Sequence, residues 1–226
     1  RTLGEKMIHP GFSIDFNKLP KTLPIFPLEG VLLLPHGRLP LNIFEPRYLA
    51  MTDDALSTDR LIGIIQPASS NTQETPSPVF KTGCAGRITA FSETEDGRYL
   101  ITLSGLIRFD VGEEIPTPRG YRRILPDWGP YKKDYLETED FSFSKDRLLG
   151  ALKKYFERKA IDADWKTINK MDNVQLVTTL AMICPFDPPE QQALLMARDI
   201  VERAETIISI LEISTHDVSE ADDVRH

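Results

Sequence analysis

Apolar positions alternate with polar ones over short distances through the first part of the chain, then recur at helical spacing after Trp128. Residues Arg1 to Lys21 show no sustained period and predict an extended lead-in that packs only through Phe12, Ile14 and Phe16. From Pro20 onward, prolines at 20, 24, 27, 35, 40 and 46 divide the chain into segments of strand length. Each ring removes a backbone donor, so a long helix is excluded there and short edge or barrel strands remain. Pro46 stands where a first helical turn begins, and Tyr48, Leu49, Met51, Thr52 and Leu56 continue a helical pattern, predicting one short helix from about Glu45 to Leu56.

Arg60 to Gln66 reads as a strand, and the polar, proline-rich stretch 67–78 reads as an exposed loop. Val79 to Glu95 and Arg98 to Ile107 flank Asp96-Gly97, which predicts a hairpin closed by a two-residue turn with positive backbone angles. Tyr99, Ile101 and Leu103 then share one face. Gly105 interrupts the returning strand, as expected of a bulge or a close backbone approach. Phe109 and Val111 continue it, and Tyr121 to Leu125 supplies a last strand.

The change of period places an internal boundary near residues 128–143, dividing a lead-in (1–20), a β-rich part (21–128), a linker with a helical part (129–212) and an acidic tail (213–226). In the helical part, Ser144 is positioned to cap a helix burying Leu148, Leu149, Leu152, Tyr155 and Phe156. Asn173 begins another, with Leu176, Val177, Leu180 and Ile183 on its stripe, and Pro185 ends it. Asp187-Pro188-Pro189-Glu190 and Asp199 to Glu202 both read as capping boxes, the second opening a helix with Ile200, Ala204, Ile207, Ile208 and Leu211 inward.

Composition adds limits rather than a function. With 226 residues, 41% hydrophobic and 27% charged, the chain is long enough for a real core and reads as an ordinary globular protein. No apolar run, Val31 to Leu34 included, is nearly long enough to cross a bilayer. The sequence starts at Arg1 rather than methionine, which suggests trimming or processing, and no signal-peptide pattern follows, so a cytoplasmic location is expected. Cys84 and Cys184 have no nearby Cys or His to complete a metal cluster and read as buried thiols. No cofactor is expected.

Candidate chemistry is sparse. No Gly-Lys dipeptide exists to anchor a phosphate loop, and Gly83-Cys-Ala-Gly86 leads into a strand and reads as a turn or bulge. None of Ser104, Ser142 and Ser144 lies in a Gly-x-Ser-x-Gly elbow. His9, His36, His216 and His226 are scattered, and His36, in the loop after Val31 to Leu34, is a turn residue first and a ligand contact second. The adjacent carboxylates Asp53-Asp54 and Glu113-Glu114 read as solvated. A formal net charge of -7 opposes nonspecific binding to nucleic acid. The best local basic patch, Arg119, Arg122, Arg123, Lys132 and Lys133, has Asp127, Asp134, Glu137 and Glu139 close by and reads as a mixed-charge face. The one compact group mixing aromatic, acid and base is Phe44-Glu45-Pro46-Arg47-Tyr48. We read Glu45 and Arg47 as stitching the sheet to its helix, with Phe44 and Tyr48 in the core, over a role in recognising a partner.

Several of these stretches together resemble the substrate-binding domain at the amino terminus of Lon proteases, a domain that also occurs alone in bacteria. They are Leu23-Pro-Ile-Phe-Pro-Leu with Gly30-Val31 and Pro35, Leu39-Pro-Leu-Asn-Ile-Phe-Glu-Pro-Arg-Tyr with Met51, Ile62-Gly-Ile-Ile-Gln-Pro, Gly83-Cys-Ala-Gly-Arg-Ile, and Asp96-Gly-Arg-Tyr with Leu103-Ser-Gly-Leu-Ile-Arg-Phe. The helical close from Val174 to Leu211 completes the similarity, which spans about Pro20 to Glu212. It implies an α+β fold: a bent, PUA-like β pseudo-barrel with one short helix, followed by a bundle of about four helices. A full Lon protease continues into an ATP-driven unfolding domain and a Ser-Lys protease domain, and neither is in this sequence. The resemblance therefore implies a noncatalytic protein- or peptide-binding module for exposed apolar or unfolded segments, working with a separate ATP-dependent protease. A sheet face or barrel edge, and the groove between barrel and helices, are the expected means. The candidate contact residues are Leu33, Leu34, His36 and Arg38 in one loop and Phe44, Glu45, Arg47 and Tyr48 in the next. RNA binding through Arg122 and Arg123, as in some PUA-like proteins, is the alternative, and an unrecognised hydrolase is a third.

Overall fold

The computed structural model describes residues 14–68, 76–135 and 143–216. The chain divides into two compact units, residues 1–137 and 138–226. The part of the 67–78 loop at 69–75, Phe12, Ser142 and the acidic tail from residue 217 lie outside the described residues.

In the first unit, β1 (Leu23–Pro27), β2 (Arg38–Ile43), α1 (Pro46–Leu56), β3 (Leu61–Ile65), β4 (Thr82–Glu93), β5 (Tyr99–Ile115) and β6 (Arg122–Asp127) follow in order. The strands make one sheet, β2-β5-β4-β3-β1-β6, and β6 also pairs with β5, so five strands close into a ring with β2 outside it. The closure depends on the length of β5. Its first half lies between β2 and β4, from Tyr99 opposite Ile43 to Ser104 opposite Arg38, and its end, from Asp110 to Ile115, turns to β6. Register shifts at Ala85/Gly86, Ile88/Ala90 and Val111/Glu114 supply the bend. Sharing one strand between an outer partner and the closing partner makes a pseudo-barrel rather than a true barrel.

β1 and β3 are parallel, with Ile25 opposite Gly63, and so need a crossover, which contains α1. Pro46 is at the start of α1, as the sequence predicts. Inside the ring, Leu23, Ile25, Leu61, Ile65, Ala85, Ile107, Phe109 and Ile124 form the core. Ile14, Phe16 and Leu19 from the lead-in pack against it. Trp128 donates its indole N–H to the Pro20 carbonyl at 3.0 Å and meets the Phe109 ring edge-on.

Three local expectations are corrected. The run Val31 to Leu34 is a loop rather than a strand, although Leu32, Leu33 and Leu34 are buried. Its backbone is held instead at Gly105, whose carbonyl accepts from His36 N at 3.0 Å and whose amide donates to Gly37 O at 2.8 Å. The β4–β5 hairpin does not close on a two-residue turn. Thr94 N donates to Arg98 O at 2.9 Å, so three residues lie between, and of these only Gly97 has a positive φ, +79°. That is the three-residue loop in which a left-handed glycine ends the turn. Segment Gly129–Tyr135, read from the sequence as linker, is a 3-10 stretch belonging to the first unit. It is tied to β4 and β5 through Asp134 and Tyr131.

The second unit holds α2 (Lys145–Lys159), α3 (Trp165–Lys170), α4 (Asn173–Ile183), α5 (Pro188–Met196) and α6 (Ile200–His216), five described helices where about four are expected. Short polar side chains start each one. Ser144, Asp164, Asp172, Asp187 and Asp199 accept from backbone amides of the first turns of α2 to α6 respectively. Asp187 and Glu190 complete a full capping box. At Asp199 the reciprocal half is redirected, because Glu202 accepts from the amide and the Nε of Arg198. α6 packs against α2, α4 and α5 and buries Ile200, Ala204, Ile207, Ile208 and Leu211. Arg203 is buried with them and donates Nε to the Leu194 carbonyl near the end of α5 at 2.9 Å. Ile183, expected on the buried stripe of α4, is exposed at the last residue of that helix. α6 also runs four residues into the stretch read as tail, from Ile213 to His216.

Candidate functional site

The eight candidate contact residues separate into buried and surface groups. Leu33 and Leu34 are 1% and 0% exposed. Leu33 occupies space left free by Gly86 and Gly105, where an added Cβ would lie 2.7 Å and 3.3 Å from its methyl carbons. These two leucines hold the loop to the sheet. His36 is partly exposed and takes a left-handed conformation, φ 67°, which histidine tolerates better than most side chains. Arg38 is exposed on β2.

Of the second group, Tyr48 is buried and its ring lies 4.0 Å from that of Phe26 on β1, which anchors α1 to the sheet. Burial raises its hydroxyl pKa. Phe44 is 64% exposed, not a core residue. Glu45 and Arg47 do not stitch sheet to helix either. Arg47 donates Nε to Glu45 Oε2 at 3.0 Å and stands 4.6 Å over the Tyr48 ring, a local cluster with both charged side chains about half exposed. The correction has a simple cause: two residues apart at a helix start, this acid and base reach each other before they reach the sheet.

Position along β2 joins Arg38 to a second surface feature. Arg38, Pro40 and Asn42 stand opposite Ser104, Thr102 and Leu100, so these six share the face of the sheet turned away from Leu103 and Ile101. There Pro40, Asn42, Ala90, Ser92, Leu100 and Thr102 border an open groove of about 440 Å³. Leu100 is 43% exposed there; Phe91, equally exposed, stands opposite Ile101 and so turns to the other face, edge-on against Tyr99. Leu100 was legible in the sequence as the apolar member of the face opposite Tyr99, Ile101 and Leu103. Phe91 was not, because the bulge between Ile88 and Ala90 resets the alternation of β4.

Two members of the basic cluster, Arg119 and Arg122, are paired with acids. Arg122 makes a two-pronged contact with Glu114, 2.8 Å at each nitrogen, and donates also to Ser77 O. Arg119 pairs with Asp54, which accepts from the Tyr121 hydroxyl at 2.7 Å as well. Asp53 instead bonds Tyr99 and raises the pKa of that hydroxyl. The neighbouring carboxylates therefore diverge and clamp the end of α1 on two sides rather than standing free in solvent. Asp54, Arg119, Tyr121 and Arg123 also line a second cleft, of about 410 Å³, with Thr22, Ser57, Thr58 and residues 115–118.

Two further buried polar clusters are structural. Arg108 and Asp134, with side chains 6% and 7% exposed, make a two-pronged ion pair, and the Arg108 amide donates to the same carboxylate. Asp110 accepts from Thr82, Tyr131 and Lys81. Burial alone raises its pKa, but these three donors outweigh burial and hold the carboxyl below its usual range. Ser104 shares a hydrogen bond with Thr89, and Ser144 caps α2. Among the described residues no helix is long and apolar enough to cross a membrane.

The ring of strands, its one helix and the following helices define the pseudo-barrel class of fold that the sequence resemblance implies. Residues 22–212 match the model of the ATP-dependent protease La (LON) substrate-binding domain, and the chain belongs to that family. A Lon protease from Parabacteroides distasonis is 27% identical over 216 residues, covering 92% of this chain and 26% of its own length. A Lon protease 2 from Thermus thermophilus is 26% identical, covering 86% of this chain and 24% of its own length. The chain thus spans about a quarter of the length of these relatives. Among solved structures, a Lon N-terminal domain protein from Xanthomonas campestris superposes with a TM-score of 0.58 at 23% identity, over 83% of this chain and 97% of that one. The N-terminal domain of a Mycobacterium avium complex Lon protease gives 0.56 at 15% identity, over 87% and 100%. At these identities the two structures speak for the fold.

Proposed function

We propose that this chain is a noncatalytic module, acting in the cytoplasm, that binds exposed apolar segments of polypeptides and serves a separate ATP-dependent protease. The match of residues 22–212 to a substrate-binding domain carries the reading. For the contact surface we propose the outer face of β2 and β5, with Arg38, Pro40 and Leu100, joined by exposed Phe44 just past the end of β2. Gly37 O faces β5, so by alternation the backbone of Pro40 faces away, at the free edge of β2. A strand added there finds no amide at Pro40, which favours capture on the face over extension of the sheet. Of the two arginines on which the RNA alternative rests, Arg122 is engaged by Glu114, which leaves Arg123 alone and speaks against a basic RNA-binding face.

Titration calorimetry with a reduced and alkylated, permanently unfolded protein tests the reading. Binding is expected to the unfolded form and not to its folded counterpart, weakened about tenfold or more by Leu100→Asp with an unchanged Tm. Absence of binding to the unfolded protein, or equal binding to both forms, overturns it.

A further inference from the structure

The cleft at the end of α1 contains an arginine that no acid among the described residues neutralises. Asp54 is taken by the guanidinium of Arg119 and the hydroxyl of Tyr121. Among the described residues Arg123, lining the same cleft, has a long 3.5 Å hydrogen bond to the Tyr121 hydroxyl and the face of that ring at 5.9 Å. Its Nε is buried without an acceptor among the described residues. Buried guanidinium donors are almost always satisfied, so an unpaired one on the wall of a cleft calls for an acceptor from outside. Subtracting the Asp54–Arg119 pair leaves a net single positive charge, which matches a monoanion better than a doubly charged phosphate.

The other walls narrow the choice. Ile115, Pro116 and Pro118 give apolar surface on a backbone stiffened by two prolines. Ser57 and Thr58 spend their hydroxyl hydrogens on helix carbonyls, on Asp53 O at 2.8 Å and Asp54 O at 2.9 Å. Their oxygens therefore remain as acceptors, which disfavour a bare oxyanion but suit an N–H donor. A ligand that brings one carboxylate, an apolar body and an amide N–H satisfies all three walls together. We infer that this cleft binds the carboxyl terminus of a peptide with an apolar last residue, its carboxylate on Arg123 and an amide N–H toward Ser57 and Thr58. Such capture is a known way of reading chain ends. It lies apart from the sheet face proposed above and stands or falls independently of it.

The test is fluorescence anisotropy of the 226-residue chain with a labelled short peptide ending in leucine, as the free acid and as the amide. The acid is expected to bind saturably, and the amide about tenfold or more weaker. Arg123→Gln is expected to abolish the difference and Arg123→Lys to keep part of it, since lysine retains the charge without the planar fork. Leu100→Asp is expected to leave this binding unchanged. Equal binding of acid and amide, no binding of either, or full binding by a folded Arg123→Gln variant overturns the proposal. Should Arg123→Gln fail to fold, the acid-to-amide ratio in Arg123→Lys decides, and a ratio equal to the parent's overturns it. Competition with isovalerate and inorganic phosphate separates the sources. If either displaces the peptide at the concentration of unlabelled peptide acid, the peptide-terminus assignment fails.

Discussion

Gly105 lies directly against Leu34, so close that a Cβ at residue 105 would overlap the Leu34 carbonyl oxygen. The two backbone hydrogen bonds from Gly105 to His36 and Gly37 fix that approach and hold the apolar loop on β5. Gly105→Ala is therefore expected to destabilise the protein by about 1–3 kcal/mol or more, through loop displacement. Gly97→Ala offers the contrast. That glycine has open space around its α-carbon and only a left-handed φ to defend, so about 1 kcal/mol is expected. Urea unfolding of both variants checks the order, and equal losses would count against the docked loop.

Arg47 and Tyr48 are neighbours with opposite expectations. A buried junction arginine would cost about 1–3 kcal/mol on truncation because it strands its acid partner. Arg47 instead forms a half-exposed pair, and such pairs contribute about 0–1 kcal/mol. Tyr48→Ala removes the ring stacked on Phe26 and is expected to cost about 3–5 kcal/mol, as for other large buried aromatics. Thermal unfolding should show Arg47→Ala close to the parent and Tyr48→Ala far below it.

The two variants also mark what could be read from the sequence. Helix starts were legible because a cap needs one residue type at one position: Ser144, Asp187 and Pro46 all stand where local chemistry places them. Gly105 was legible as a close approach because only a residue without Cβ fits there. The destination of a side chain was not. Phe44 and Tyr48 have similar apolar bulk, and which one faces β1 depends on the turn into α1. The mixed charge around Arg119 and Arg122 was legible but not its pairing, because the partners Asp54 and Glu114 come from other elements, brought alongside by the ring closure. The cleft around Arg123 had no sequence signal, since its walls come from the lead-in to β1, the end of α1 and the β5–β6 connection.

Cys84 and Cys184 are both buried, and burial pushes the Cys184 thiol up to about 12. Thiolate is the reactive form, so neither cysteine is expected to react with a thiol reagent in the native protein at pH 8. Both should react once the chain is unfolded in guanidinium. Rapid labelling of native Cys184 would show that the second unit opens readily.

Asp110 gives the fold an acid dependence whose sign can be worked out. Its folded pKa lies below the ordinary value of 3.8, because Lys81, Thr82 and Tyr131 donate to the carboxylate and outweigh its burial. The unfolded state then binds the proton more readily, and stability rises with pH across the interval between the folded and unfolded values. The contribution is fully present above the unfolded pKa and is lost as pH falls from about 4 through the folded value. Asp110→Asn cannot ionise, so its unfolding midpoint should fall less steeply than the parent's between pH 5 and the acid limit, while lying lower at pH 7 for loss of the Lys81 pair. Parallel slopes for the two proteins in that interval would mean that the carboxylate does not hold the 3-10 segment at Tyr131 to the sheet.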